Sequence, residues 1–118
     1  MLTVGDGAVW TNLDEMAAWD RALRNHKLIR EKTMQLALGP SKTTNGKTND
    51  YGLGWLVYRD KSGNMNGFGH EGSWGGFQTS YYRYVVADRT TVILSNRGDF
   101  DPDTFWYALN DLIEEHER

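Results

Sequence analysis

The chain has 118 residues, 39% of them hydrophobic, 25% charged and 13% aromatic, with five Trp and no Cys; this suits one soluble globular domain with its own core and excludes a disordered tail, a disulfide framework and a thiolate metal site. The net charge is −3, the pI is near 5.5, and Lys and Arg are scattered, so there is no electrostatic footprint for nucleic acid. No apolar run approaches the ~20 residues of a membrane-spanning helix, and "MLTVGDG" lacks the basic-then-apolar order of a signal peptide.

Taken in chain order, "TNLDEMAAWDRAL" predicts a helix capped by Thr11, with Asp14 as a weaker form of the capping box. Leu13, Met16, Ala17 and Leu23 fall near helical spacing with Trp19 beside them, and Asn25 suits the end. "LIREKTMQLAL" reads as a second short helix, stopped by Gly39-Pro40. Residues 41–50, "SKTTNGKTND", hold no apolar residue and read as a loop or mobile flap. Three β-like stretches follow. "YGLGWLVYRD" ends in the turn-forming "DKSGN"; "NGFGHEGSWGGF" leads into "QTSYYRYVV"; "TTVILSNR" follows a turn at Ala87-Asp88-Arg89. The spacing of the last two runs predicts an antiparallel hairpin. The continuous Val92-Ile93-Leu94 predicts a strand covered on both faces.

The last helix is the clearest. Asp101 is a good N-cap, Pro102 sits where its missing N–H costs nothing, and Asp103 lies at the positive end of the dipole. Phe105, Leu109, Leu112 and His116 form a stripe, widened by Trp106 and Ile113, with Glu114, Glu115 and Glu117 toward water. With no internal repeat or linker, residues 1–118 read as a single α+β domain: two N-terminal helices, a small antiparallel sheet of about three to four strands, and one C-terminal helix.

"GFGHEGSWGGF", residues 67–77, is where chemistry is to be sought. It contains G-x-G-x-x-G, but no helix opens after Gly72, so a dinucleotide cradle is excluded. A strained serine elbow needs Gly two before Ser73, where Glu71 stands. His26, His70 and His116 are far apart, and His70-Glu71 lacks the second histidine of a zinc motif, so no metal site is expected. His116 reads as a dipole-matched or core-rim histidine. Taken alone, the five glycines account for close backbone packing and a bulge, with His70 a satisfied, partly buried histidine; on the residues themselves this plain reading leads. Tyr81, Tyr82, Tyr84, Trp55 and Trp74 read first as core and cross-strand pairs and second as an aromatic ligand surface.

The order and spacing of "VGDGAVWTNLDEMAAWDRAL", "YGLGW", "GHEGSWGGF" and "TTVILSNRGDFDP" change that balance. Together they resemble the C-terminal part of the serine β-lactamase-like family, which includes class C β-lactamases, D-Ala-D-Ala peptidases and carboxylesterases. The resemblance implies a partial β-lactamase/transpeptidase-like fold and a serine hydrolase working by acyl transfer on a β-lactam, peptide or ester. His70-Glu71-Gly72 matches the H-x-G form of the family's third motif. By this resemblance His70 lines the pocket and helps position or polarise nucleophile and substrate. Gly72 lets the strand approach the acyl group, the Ser73 backbone N–H is an oxyanion donor, and Glu71 and Trp74 join the substrate-binding wall. A small-molecule acyl substrate is implied, and no cofactor or metal.

The departures are equally specific. No serine here has Lys three residues on, and no Tyr has Asn or Ser two residues on, so the nucleophile motif S-x-x-K and the second motif Y-x-[NS] are absent from this chain. The expectation is a C-terminal fragment of a larger hydrolase, inactive alone, whose localisation its sequence leaves open. The alternative is a non-catalytic binding or assembly module: losing the family's first strands exposes a sheet edge that a homo-oligomer or an N-terminal complementing segment would cover. Asp99 and Asp101 are assigned to turn and cap.

Overall fold

A computed structural model of the protein describes residues 5–116; Met1 to Val4, the start of the N-terminal stretch, and Glu117 of the last helix lie outside the described residues. The elements are α1 (Leu13–Arg24), α2 (Glu31–Ala37), β1 (Ser41–Lys42), β2 (Thr48–Asn49), β3 (Leu56–Arg59), β4 (Met65–Trp74), β5 (Phe77–Tyr84), β6 (Arg89–Ser95) and α3 (Pro102–His116). The fold is α+β, with a four-stranded antiparallel sheet in the order β3-β4-β5-β6 and a separate β1-β2 ribbon.

Side chains alternate across the sheet. Val57, Phe68 and Tyr81 share one face and form a core with Leu23, Met34 and Leu38 of the N-terminal helical segment; Met16, Ile29, Trp55, Met65 and Val92 pack against it. Tyr58, Tyr82 and Tyr84 point to the opposite face, where the Trp106 ring of α3 lies 5.2 Å from Tyr82 and stacks on Tyr84 at 5.5 Å. The molecule is therefore three layers, with α1 and α2 on one face of the sheet and α3 on the other.

β4 and β5 are joined by the shortest hairpin loop available. Gly75 and Gly76 have φ of 59° and 86°, the left-handed pair that a two-residue primed turn requires. Upstream, a Cβ on Gly69 would lie 2.3 Å from the Tyr81 carbonyl oxygen, so that glycine serves close strand packing.

Several expectations are corrected. The cap of α1 is Asn12, whose Oδ1 accepts from the Glu15 N–H at 2.9 Å; Thr11 instead donates its hydroxyl to the Glu15 carboxylate. Leu13 and Ala17 are exposed, and α1 buries Asp20 and Leu23. Asn25 does end that helix. The second helix runs only from Glu31 to Ala37, and the Arg59 guanidinium donates to the Leu38 carbonyl at 2.9 Å at its end.

Residues 41–50 are not without structure. Ser41 pairs with Asn49 and Lys42 with Thr48. The strand expected from Tyr51 begins at Leu56, because Gly52 to Trp55 form a turn held by Gly52 N–H to the Trp55 carbonyl at 2.8 Å. β5 stops at Tyr84, leaving Val85 and Val86 exposed in the turn. Leu94 is 37% exposed, so the apolar run of β6 is covered at Ile93 and not on both faces throughout. On α3, Pro102 is buried and Trp106, Leu109 and Ile113 face inward as expected, whereas Phe105, Leu112 and His116, expected on the same stripe, are exposed.

Candidate functional site

β4 is longer than the strand beside it. Its pairing with β3 ends at Leu56↔Gly69, while its pairing with β5 continues from Gly67 to Trp74. Among the described residues, His70 to Trp74 therefore have a strand on one side only. Every second residue of such a segment turns its backbone groups to an open edge. The H-x-G residues begin where that edge begins.

His70 lies on the α1/α2 face and is exposed. Its Nδ1 is 2.5 Å from the Glu71 carbonyl oxygen, and its Nε2 is 2.8 Å from the Tyr51 hydroxyl. The two rings meet edge to face at 5.7 Å. Tyr51 is held in turn by its backbone. Its N–H donates to Asn49 Oδ1 at 2.7 Å, and that oxygen also accepts from the Ser41 hydroxyl at 2.8 Å. The next residue, Gly52, is irreplaceable by size: a Cβ there would fall 2.0 Å from the Ala37 carbonyl oxygen.

Gly72 differs from those structural glycines. A Cβ at Gly72 would meet only Thr79 Oγ1, at 2.8 Å, the movable end of a side chain. Trp74 sits at the hairpin end and is 63% exposed, and Phe77, its cross-strand partner, packs edge to face with Trp10 at 5.4 Å.

Glu71 and Ser73 point to the other face, toward the start of α3. With Gly72, Gln78, Asp101, Pro102 and Asp103 they line a cavity of about 320 Å³. The Tyr82 hydroxyl lies 2.6 Å from both Glu71 Oε1 and Asp103 Oδ1, one proton between two acceptors. Burial first, and then these two carboxylates, push the Tyr82 phenol above its ordinary range. This contact ties the H-x-G strand to α3. Asp101 caps α3, accepting from the Asp103 N–H at 3.1 Å and the Thr104 hydroxyl at 2.6 Å, and Asp99 pairs with Arg97 at 2.7 Å.

Of the residues singled out in the sequence, His70 and Glu71 thus stand on opposite faces of one strand, Ser73 shares the face of Glu71, and Trp74 shares that of His70. His26 is in the α1–α2 connection, and His116 uses its Nδ1 on the Leu112 carbonyl at 2.8 Å. Among the described residues, no group of three or more His, Cys, Asp or Glu side chains is placed to hold a metal, and no helix is long and apolar enough to cross a membrane. Tyr51 was not visible as a site residue. It lies 19 residues from His70, and its only local signal is its place at the head of "YGLGW".

The Beta-lactamase family model matches residues 2–113 of this sequence. The chain belongs to the β-lactamase family. Among curated proteins, this family member is 32% identical over 96 residues to penicillin-binding protein 4* of Bacillus subtilis (strain 168), a match that covers 80% of this chain and 21% of that protein. The β-lactamase-family chain thus spans about a fifth of the relative's length. No solved structure matches it.

Proposed function

We propose that this chain is the C-terminal portion of a β-lactamase-family serine hydrolase, folding as one domain over residues 1–118 and supplying the H-x-G wall of an acyl-transfer site. The observation that carries this reading is the one-sided pairing of His70 to Trp74, which sets the motif along an open strand edge. His70 is exposed beside that edge, and Gly72 keeps it thin with no neighbouring backbone demanding a glycine there. In this role His70 positions or polarises the nucleophile and substrate. The Ser73 N–H is an oxyanion donor, a type of contact worth about 100- to 1,000-fold in turnover. Glu71, Gly72 and Trp74 contact the substrate, a small-molecule β-lactam, peptide or ester. The chain contains no S-x-x-K, so alone it lacks the nucleophile and does not turn over. Incubation of the pure chain with a chromogenic cephalosporin and a p-nitrophenyl ester is expected to give no hydrolysis above background. Turnover that His70→Ala abolishes contradicts this assignment.

A second reading rests on a different edge. Among the described residues, β6 has a strand on one side only, and Leu94 on it is 37% exposed. That edge is a template for a strand from a second copy or from an N-terminal complementing segment, which makes the chain an assembly module.

A further inference from the structure

We infer that Tyr51 is a polar member of the site in its own right: its hydroxyl proton is committed to His70, so that its oxygen is presented as an acceptor for a donor group of the substrate or nucleophile. This rests on the reading of β4 as an active-site wall and adds to it a residue from outside the family's three motifs.

The argument begins at the imidazole. A backbone carbonyl only accepts, so the 2.5 Å contact between His70 Nδ1 and the Glu71 oxygen requires the proton on Nδ1. In neutral imidazole the other nitrogen is then a bare acceptor. Tyr51, 2.8 Å away, must donate its O–H to Nε2. A phenol has a single proton, so once it is given to His70, only lone pairs remain to face outward. A donor arriving from outside is therefore met by the Tyr51 oxygen, with His70 behind it. The same chain of contacts makes the ring pair a route for a proton. A hydroxyl that gives its proton to the Tyr51 oxygen lets the Tyr51 proton pass to Nε2, leaving Tyr51 neutral and His70 as imidazolium with both nitrogens protonated.

The placement is built rather than incidental. Tyr51 is 41% exposed, so burial does not require it to find a protein partner. Yet its backbone is fixed on both sides: by Asn49 before it, by the bridge to Leu56, and by the Gly52 turn after it, where the Leu53 N–H donates to the Ala37 carbonyl at 2.8 Å. The polar stretch 41–50, as a β1-β2 ribbon, ends by delivering this hydroxyl to the H-x-G strand.

The test is the nitrogen NMR of the His70 ring in the chain as it stands, at neutral pH. The wild type is expected to show a protonated Nδ1 and an Nε2 that carries no proton but is shifted by an accepted hydrogen bond. Tyr51→Phe should leave Nδ1 protonated and move the Nε2 resonance to the position of a free acceptor. Tyr58→Phe, on the opposite face of the sheet, should move neither. A wild-type ring protonated on Nε2, or an Nε2 resonance indifferent to Tyr51→Phe in a variant with an otherwise unchanged amide spectrum, overturns the inference. The signature is read without substrate. Its absence leaves the acyl-transfer reading intact, and hydrolysis assays that contradict that reading leave the signature in place.

Discussion

Asp20 is 6% exposed, yet three donors converge on its carboxylate: the Tyr81 hydroxyl, the Thr90 hydroxyl and Arg24 Nε, each at 2.8 Å. Burial alone would raise the Asp20 carboxyl; the hydrogen bonds from Tyr81, Thr90 and Arg24, with the Arg24 charge, outweigh it and hold the group below its ordinary range. The partner responds in the opposite sense, since burial and the Asp20 contact raise the Tyr81 phenol. A folded-state value below the unfolded one means stability that is present above the unfolded value, about 4, and lost as pH falls through the folded value. Asp20→Ala leaves the Tyr81 and Thr90 hydroxyls without their acceptor and is expected to cost about 2–4 kcal/mol. Asp20→Asn keeps one acceptor oxygen and is expected to cost about 2 kcal/mol. Urea titrations at neutral pH and below pH 4 check both the size and the sign. The gap between wild type and Asp20→Asn should narrow in acid, and a gap that widens there contradicts the assignment. Gly52 gives a second test at this scale. Placing a Cβ 2.0 Å from the Ala37 oxygen forces backbone movement, so Gly52→Ala is expected to cost about 1–3 kcal/mol and to loosen the Tyr51–His70 contact. A Gly52→Ala chain with wild-type stability and an unchanged His70 spectrum contradicts that role.

At the scale of elements, the helix ends separate what a sequence pattern carries from what it does not. Asp101-Pro102 marked the start of α3 unambiguously, because proline and a capping carboxylate act within a few residues. At α1 two adjacent residues, Thr11 and Asn12, offer equivalent capping chemistry, and the choice is made by backbone geometry: Asn12 is extended, with φ −134° and ψ 174°. Asn12→Ala is therefore expected to destabilise by about 1 kcal/mol and Thr11→Ala by clearly less, measured by thermal or urea unfolding; equal effects contradict the assignment. The strands of the main sheet were legible from their β-like runs and turns, and the H-x-G strand from its neighbours in sequence, whereas the polar β1-β2 ribbon was not. The inward side of α3 was legible only in part: Trp106, Leu109 and Ile113 lie on it as read, and Phe105 and Leu112 do not. Trp106 is taken inward by Tyr82 and Tyr84, two rings on another element, and this turns Phe105 and Leu112 outward. Tyr51 was missed for the same reason. Its partner is fixed by a ribbon whose polar residues carry no hydrophobic period, so nothing local announced where its hydroxyl ends.

At the scale of the whole molecule, the surface is too large for the mass. A folded monomer of 13.5 kDa exposes about 6,500 Å², whereas this chain exposes 8887 Å². The Cα radius of gyration is 15.4 Å, against about 13.5 Å for a compact domain of this length. Among the described residues no large side chain is completely buried, while Val9, Trp10, Leu53, Phe105, Tyr107 and Leu112 are each 49% exposed or more. An excess of about 2,400 Å² is comparable to what large obligate interfaces bury, and exposed hydrophobic side chains such as these are the kind of surface that drives association. Among the described residues β6 is paired on one side only, which adds a row of backbone groups that water satisfies only until a strand arrives. The isolated chain is therefore expected to self-associate, with a mass above that of the monomer in light scattering or sedimentation that rises with concentration. Leu94→Lys places a charge on the open strand and should shift the association midpoint about tenfold toward higher concentration, which corresponds to about 1.4 kcal/mol. A monomer at every concentration, unfolding in one sharp transition, contradicts edge pairing. Association unaffected by Leu94→Lys moves the contact away from β6 and onto the exposed apolar side chains of α3 and the N-terminal segment.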